Sequence, residues 1–150
     1  MKFQFIWVGK TKDRNWNALE KDYLTRLSRF VQTDVREVKD ARGDGGPEIE
    51  GKRILESLNQ KGFVILVDVG GKQVSSHELA ANIENWQMQG HKEVTFIVGG
   101  PNGVSPSVAE IADSSLSLSF MTFPHEMARV ILLEQLYRGF SIIKGFPYQK

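Results

Sequence analysis

The chain has 150 residues, of which 41% are hydrophobic and 25% charged, and its net charge of +1 with nine Phe, three Trp and three Tyr excludes intrinsic disorder and indicates one globular domain. The absence of cysteine excludes disulfides, Cys-zinc sites and thiol nucleophiles, and only three histidines disfavour a His-rich metal site. No apolar run reaches the roughly 18 residues of a membrane span, and the N-terminus has no signal-peptide cleavage pattern, so we expect a cytoplasmic protein that binds neither membrane nor metal.

The first part of the chain predicts two strand–helix pairs. Phe3–Val8 alternates like a strand, and Asn15–Phe30 has apolar residues at the three- and four-residue spacing of a helix. Val35–Val38 is a short strand candidate. The glycines of Asp40–Pro47 predict a flexible loop, and its proline then suits the start of a helix over Glu48–Asn59.

A buried strand is predicted next, over Phe63–Val69, because the segment is apolar on both faces apart from one aspartate. Such a strand normally lies inside a sheet that helices cover on both sides. Gly70-Gly71-Lys72 is predicted to end it. Ser75 and Glu78 have the spacing of a capping box, which opens a helix to about Gln89.

The remaining elements continue the alternation. Val94–Val98 is predicted as a buried strand, Pro106–Ala112 as a short helix, Ser115–Phe120 as a strand with one polar face and His125–Ile143 as a long helix before the tail Lys144–Lys150. Alternating strands and helices predict an α/β fold, with a mostly parallel sheet flanked by helices in a single domain over residues 1–150.

Ligand sites in such sheets lie at the carboxyl ends of the strands. Three loops leave those ends, namely Asp68–Lys72, Gly99–Pro106 and Met121–Pro124, and we expect a site there. The glycine loop matches neither the dinucleotide fingerprint nor a phosphate loop, so it is either a plain connector or a close backbone approach to a ligand. Asp68 is either a ligand-site carboxylate or an acceptor within a turn.

The last helix is apolar over more than one face. One arc contains Val130, Leu132, Leu133, Leu136, Tyr137, Phe140 and Ile143, whereas Met127, Ile131 and Ile142 lie on the other side. Such a helix is expected to be covered on several faces, and a second subunit is the simplest cover. The sequence therefore predicts a homodimer.

Polar side chains on this helix allow more than one interpretation. Arg129 falls inside the apolar arc, where a buried guanidinium needs an anionic partner or a ring of acceptors. It either contacts a substrate phosphate or the reacting group, or it forms an internal salt bridge or extends to solvent from the first turn. His125, at the helix start, is either a neutral base or a capping residue. Glu134 and Arg138 have the i,i+4 spacing of a structural ion pair.

Basic residues are concentrated at the two ends of the chain. Residues 1–30 carry seven Lys/Arg against three Asp/Glu, residues 31–124 carry eight against thirteen, and residues 125–150 carry four against two, which gives +4, −5 and +2. If the two ends share a face, that face could bind a polyanion; an ordinary solvated surface is the alternative.

Several of these motifs together resemble a known family. The glycine loop reads Phe96-Ile-Val-Gly-Gly-Pro-Asn-Gly-Val-Ser-Pro106, and the following strand and helix start read Leu116-Ser-Leu-Ser-Phe-Met-Thr-Phe-Pro-His125. With Arg129, the run Glu134-Gln-Leu-Tyr-Arg138 and the Pro147-Tyr148 tail, the chain resembles the ribosomal RNA large-subunit methyltransferase H family (RlmH) of the SPOUT superfamily over essentially its whole length.

The resemblance implies a C-terminal trefoil knot, a homodimer and S-adenosylmethionine as cofactor. It also implies methylation at N3 of a pseudouridine in helix 69 of 23S large-subunit rRNA, in the assembled ribosome. The implied cofactor-binding residues are Val67, Gly99, Gly100, Leu118, Ser119, Phe120, Met121, Thr122 and Phe123. His125, Arg129 and Tyr148 are the implied catalytic residues, and Arg138 and Lys150 the implied RNA-binding residues.

The tail departs from the family pattern. Family tails read His-Pro-Tyr-His and then a basic residue, whereas this chain reads Phe146-Pro147-Tyr148-Gln149-Lys150. Two alternatives therefore remain open at this point: a ribosome-associated RNA-binding protein without catalysis, and a methyltransferase that acts on another RNA such as tRNA.

Overall fold

The computed structural model describes residues 1–149, in which strands and helices alternate as the sequence predicts, before a short 3-10 turn over Pro147–Gln149. The strands are β1 (Lys2–Val8), β2 (Gln32–Val38), β3 (Phe63–Gln73), β4 (Glu93–Val98) and β5 (Ser114–Ser117). The helices are α1 (Arg14–Leu27), α2 (Gly46–Ser57), α3 (Ser76–Met88), α4 (Pro106–Ile111) and α5 (His125–Lys144).

The strands form one parallel sheet in the order β2-β1-β4-β3-β5. β4 lies at its centre, between β1 and β3, and β1 pairs with β4 from Lys2 opposite Glu93 onward, so the middle of the sheet joins distant parts of the chain. The prediction of an α/β fold with a parallel sheet flanked by helices is confirmed. Because all pairs are parallel, the carboxyl ends of the strands share one edge, where ligand sites form in such sheets.

Helices cover both faces of the sheet, and side chains of β1 belong to the hydrophobic core on each face. Its Phe3, Phe5 and Trp7 are completely buried in the core formed with α1, α3 and α5. Ile6 and Val8 point the other way, into the smaller core formed with α2 and α4. This alternation follows from the two-residue period of a strand, and it explains why β1 is apolar on both sides.

Several predicted boundaries differ from the structure, since β2 begins at Gln32 rather than at Val35 and α2 spans Gly46–Ser57 rather than Glu48–Asn59. Three further differences concern β3, β5 and α1. Gly70-Gly71-Lys72 does not end β3, which continues to Gln73 through an irregularity in which Val67 and Lys72 both pair with Leu116. β5 ends at Ser117 rather than at Phe120, whose side chain is 67% exposed. α1 ends at Leu27 rather than at Phe30, because Phe30 leaves the helix and stacks on Phe140 of α5 at 5.4 Å.

The starts of the helices are capped in different ways. Asp13 caps α1, and the predicted capping box of Ser75 and Glu78 starts α3. α2, α4 and α5 start without a hydrogen bond from the side chain of the cap, and the N-cap of α5 is Pro124. At its other end Gly145 adopts a left-handed conformation with φ 68°, which terminates α5. No helix in the described part of the chain is long and apolar enough to cross a membrane.

Candidate functional site

A cavity of about 530 Å³ opens at the carboxyl edge of the sheet. Three chain segments form it: the end of the regular part of β3, the loop after β4, and the connection from β5 into α5. Its lining residues are Leu66, Val67, Asp68, Val69, Val98, Gly99, Gly100, Pro101, Gly103, Val104, Leu118, Ser119, Met121, Thr122, Phe123, Pro124, His125 and Ala128. These segments include residues of all three predicted strand-end loops, although Asp68–Lys72 belongs to β3 and is not a loop.

Most residues expected to bind a cofactor line this one cavity. They are Val67, Gly99, Gly100, Leu118, Ser119, Met121, Thr122 and Phe123. Phe120 is the exception, because its exposed side chain is not part of the lining. The structure therefore brings together residues that lie far apart in the sequence, while their contact with a cofactor stays a prediction.

The walls of the cavity are formed largely by apolar side chains and by the backbone of tight turns. A Cβ atom on Gly99 would lie 2.8 Å from Cγ1 of Val104, so only glycine lets this loop close on itself. Asp68 accepts a hydrogen bond from the backbone N–H of Gly70 at 3.1 Å, as expected for an acceptor within a turn, and it also borders the cavity. The site thus offers a largely apolar space with few polar side chains.

His125 lines this cavity and is the first residue of α5. Partial burial lowers the pKa of His125 below its usual 6.5, and the positive charge of Arg129 lowers it further, against the opposing effect of Glu126. The imidazole is therefore neutral at neutral pH and can accept a proton.

Arg129 is completely buried one turn further along α5. Its guanidinium donates to the carbonyl oxygens of Val8 at 2.7 Å and Gly9 at 3.0 Å, and to Oγ1 of Thr11 at 2.9 Å. Its charge also lies over the ring of Trp7, 5.6 Å from the centroid. Among the described residues the guanidinium thus has a ring of uncharged acceptors, so neither the predicted salt bridge nor the predicted extension to solvent is found, and a role in catalysis would act through other residues.

Sequence patterns did not identify Glu20, whose carboxylate is connected to the Arg129 guanidinium by hydrogen bonds through Thr11. Glu20 of α1 is buried, and it accepts hydrogen bonds from Nε1 of Trp7 at 2.9 Å and from Oγ1 of Thr11 at 2.6 Å. One signal was available, because Glu20 stands four residues after Trp16 and so belongs to the apolar side of α1. An acidic residue on such a face requires a buried partner.

A second carboxylate missed by the sequence patterns is Glu126, in the first turn of α5. It accepts hydrogen bonds from the backbone N–H groups of Lys12 and, at 3.4 Å, of Asp13. Its position near the helix N-terminus is also favourable for a negative charge. Glu126 therefore joins the start of α5 to the loop after β1.

The tail forms a separate polar cluster halfway along α5. The hydroxyl of Tyr148 donates to Oε1 of Glu134 at 3.0 Å and lies 3.3 Å from the hydroxyl of Tyr23. Arg138 pairs with Glu134, as its spacing predicts, and its guanidinium lies 4.8 Å from the ring centroid of Tyr148. Burial, together with the hydrogen bonds to Tyr23 and Glu134, raises the pKa of Tyr148, so the phenol stays protonated.

This cluster is remote from the cavity in the same chain. Arg138 is 13 residues after His125, which corresponds to about 20 Å along a helix. Neither Arg138 nor Tyr148 lines the cavity. Lys150, the other expected RNA-binding residue, lies outside the described residues. Within residues 1–149, no group of three or more His, Cys, Asp or Glu side chains is arranged to hold a metal ion.

Comparison with known proteins relates the whole chain to one family. The family model described as "Predicted SPOUT methyltransferase" matches residues 1–149. The chain is 45% identical to Ribosomal RNA large subunit methyltransferase H of Halothermothrix orenii over 159 residues that cover 100% of both chains. It is 41% identical, with the same coverage, to the protein of that name from Clostridium beijerinckii.

Proposed function

Because the chain belongs to the SPOUT methyltransferase family, we propose that it methylates large-subunit ribosomal RNA, as the names of its relatives state for them, with S-adenosylmethionine as methyl donor. The observation that carries this proposal is the convergence of the three strand-end segments on one cavity. No other element of the described chain gathers so many of the expected residues.

The cavity fits the proposed donor. Its volume of about 530 Å³ falls within the range of small-molecule sites, and its apolar walls suit the flat faces of an adenosine. The turns that border it expose backbone groups, which can bind the polar edges of the nucleoside. When bound, the donor supplies a methyl group on a sulfonium that is already activated, so the protein contributes mainly alignment.

We assign the donor site to Val67, Gly99, Gly100 and the segment Leu118–Phe123. In that segment Ser119 fixes the backbone by accepting a hydrogen bond from the N–H of Met121 at 3.0 Å. His125 then lies beside the donor with a neutral ring, and a ring nitrogen takes the proton from N3 of the target base or orients that base. No metal takes part in this scheme.

The proposed target is N3 of a pseudouridine in helix 69 of 23S rRNA, in the assembled ribosome, as the family resemblance implies. Arg138, Tyr148 and Lys150 are proposed to contact this RNA through phosphate or the target base. Arg129 is proposed to act on the site as a positioning residue, because its guanidinium is completely buried and bonded to the end of β1.

A homodimer brings together the two parts of the proposed site, namely the cavity of one chain and the tail cluster of the other. The tail cluster lies about 20 Å along α5 from the cavity of its own chain, so a second copy is needed to bring Tyr148 and Arg138 towards it. Large apolar side chains beside the cavity are uncovered, with Val69 41%, Phe120 67% and Met121 75% exposed. We propose that the partner subunit covers them, and that the dimer works in the cytoplasm, where ribosomes are.

We further propose that residues 1–150 form one SPOUT domain with a C-terminal knot. The family model spans nearly the whole chain. The chain also passes from β4 across β3 to β5, and the connection from β5 into α5 lines the same cavity as the ends of β3 and β4, which is compatible with a knotted crossing. An experimental structure that traces residues 98–125 tests this proposal, and a backbone path without a knot would refute it.

The donor is tested by titration calorimetry with S-adenosylmethionine and S-adenosylhomocysteine. We expect binding of both, and no heat with either compound would overturn the proposed function. Methylation is then tested on ribosomes from a strain that lacks the corresponding enzyme, with mass spectrometry to locate the modified base. Incorporation at another base would correct the target and leave the chemistry in place.

The altered tail supports a second candidate, a ribosome-associated RNA-binding protein without catalysis. Phe146 and Gln149 replace the two histidines of the family pattern around Tyr148. This candidate predicts co-sedimentation with ribosomes and no transfer of labelled methyl groups, so any transfer to rRNA would exclude it. Competition between ribosomes and tRNA as substrates decides whether the same chemistry acts on another RNA.

A further inference from the structure

The start of α5 is held in place by the loop that follows β1. Glu126 accepts from the backbone N–H groups of Lys12 and Asp13, while Arg129 donates to the carbonyl oxygens of Val8 and Gly9. These contacts replace the missing cap, because the N-cap of α5 is a proline without a side-chain hydrogen bond. The position of the first turn of α5 therefore depends on them.

The same turn forms one wall of the proposed donor site. His125 and Ala128 both line the cavity, and they flank the residues that bind the loop after β1. A helix turn moves as a unit, since its residues share backbone hydrogen bonds. A shift of Arg129 is thus transmitted directly to the cavity wall.

Arg129 can keep its place only if its buried charge is balanced. The described structure gives its Nε no hydrogen-bond partner, and its other donors reach uncharged oxygens. Thr11 provides the connection to a negative charge: its single hydroxyl proton goes to Oε2 of Glu20, so its oxygen accepts from Arg129. Trp7 fixes the other carboxylate oxygen of Glu20 at 2.9 Å.

We propose that Glu20 and Thr11 are positioning residues for the donor cavity, which act through Arg129 on the first turn of α5. The carboxylate orients the Thr11 hydroxyl, the hydroxyl and the β1 carbonyls hold the guanidinium, and the guanidinium holds the turn that carries His125 and Ala128. This inference rests on the proposed function, because donor binding is one of its measurements.

Four variants distinguish a positioning role of Glu20 and Thr11 from a role in the stability of the core alone. Glu20→Gln keeps the shape but removes the charge, and Thr11→Val keeps the shape but removes the hydroxyl. Thr11→Ser restores the hydroxyl as the conservative replacement. Asp22→Asn is the matched control, since it removes a carboxylate from the exposed side of the same helix.

We expect Glu20→Gln and Thr11→Val each to raise the Kd for S-adenosylhomocysteine by about tenfold, with Thr11→Ser and Asp22→Asn within about twofold of the wild type. The Glu20→Gln/Thr11→Val double variant should bind no more weakly than either single variant, because both interrupt one path. Additive losses in the double variant would overturn the proposal.

Hydrogen exchange of the ligand-free protein gives a second measurement. Residues 119–130 should exchange faster in Glu20→Gln and Thr11→Val, while β4 exchanges as in the wild type. Uniformly faster exchange with an unchanged Kd would mean that the network only stabilises the core, and would refute the proposal.

These measurements also separate the two levels of inference. If the wild type binds no S-adenosylhomocysteine, the proposed function fails, whereas the exchange experiment still decides the positioning role. If Glu20→Gln does not fold, the Thr11→Val and Thr11→Ser pair decides by itself, because equal affinity of those two variants would refute the path through the hydroxyl.

Discussion

A buried cation gives the strongest constraint among single residues. Arg129 is completely buried, and burial lowers its pKa, while the nearby charge of Glu20 opposes that effect. Arginine stays protonated despite such shifts, so the charge must be balanced inside the protein. The cation and its acceptors connect α1, the end of β1 and α5 in one network.

Removing this cation should be costly. We expect Arg129→Met to lower the free energy of unfolding by about 3 kcal/mol, because it leaves Glu20 as a buried charge without its cation. Urea denaturation measures the change. Arg29→Met, at an exposed position after α1, is the matched control and should alter stability little. Equal stability of the two variants would contradict this account of the network.

The histidine at the cavity gives a prediction for pH. Burial and Arg129 lower the pKa of His125 in the folded state, so below about 6.5 the unfolded chain binds more protons than the folded one. Stability contributed by the neutral ring is therefore present above that pH and is lost as the pH falls through the lowered folded pKa.

Substitution of His125 should remove this part of the pH dependence. Denaturation curves between neutral and mildly acidic pH should give a smaller loss of stability for His125→Gln than for the wild type. His77→Gln, which changes an exposed histidine of α3, is the control and should keep the wild-type slope. A steeper slope in His125→Gln would show that the sign is wrong.

At the level of secondary-structure elements, the contact between β3 and β5 determines the shape of the cavity. A Cβ atom on Gly71 would lie 2.8 Å from the carbonyl carbon and 2.9 Å from the nitrogen of Leu116, inside the backbone of β5. Gly70 is open by comparison, since its nearest atom is a carboxylate oxygen of Asp68 at 3.2 Å. Neighbouring glycines thus have different tolerance to a side chain.

We expect Gly71→Ala to destabilise the fold by about 2 kcal/mol, because the strands must separate to admit a methyl group. It should also weaken donor binding, since β5 leads directly into Leu118. Gly70→Ala serves as control and should change stability by no more than about 0.5 kcal/mol. Thermal and urea denaturation measure both variants, and equal effects would refute this view of the strand contact.

Prediction from sequence succeeded where the signal is local. The helix start at Ser75 and the buried strand at Val94–Val98 follow from capping and periodicity, which depend on neighbouring residues. It failed at Gly71, where the strand continues because a partner strand approaches the bare backbone. The alternation of polar and apolar residues predicted a strand up to Phe120, but alternation does not show whether a neighbouring strand extends far enough to pair with that residue.

The candidate site shows the same difference between what local sequence signals predict and what contacts between distant residues decide. The segments that meet at the cavity were predicted, because parallel strands bring their carboxyl ends to one edge, although the first of them continues β3 and is not a loop. The link from Glu20 through Thr11 to Arg129 was not predicted, because it joins residues up to 118 positions apart. Pairwise contacts of that kind depend on the packing of α1 and α5 against β1, which no local pattern encodes.

For the whole molecule, the test is the association state. We expect sedimentation equilibrium to give twice the mass of the chain, because uncovered Val69, Phe120 and Met121 adjoin the cavity. Met121→Glu should weaken association by placing a charge in the interface. Glu56→Gln, at an exposed position on α2, should leave it unchanged. A monomer at all concentrations would contradict the proposed arrangement of tail and cavity.

The parallel pairing of β1 with β4 has a consequence for biosynthesis. β1 precedes the other strands in the chain, but its neighbour β4 is added only after more than half of the described residues have been translated, and the last wall of the cavity follows with α5. A nascent chain therefore has no partial site that could capture nucleoside early. Affinity for the ligand should appear only after α5 has been made, and prematurely terminated chains should not bind the ligand even weakly.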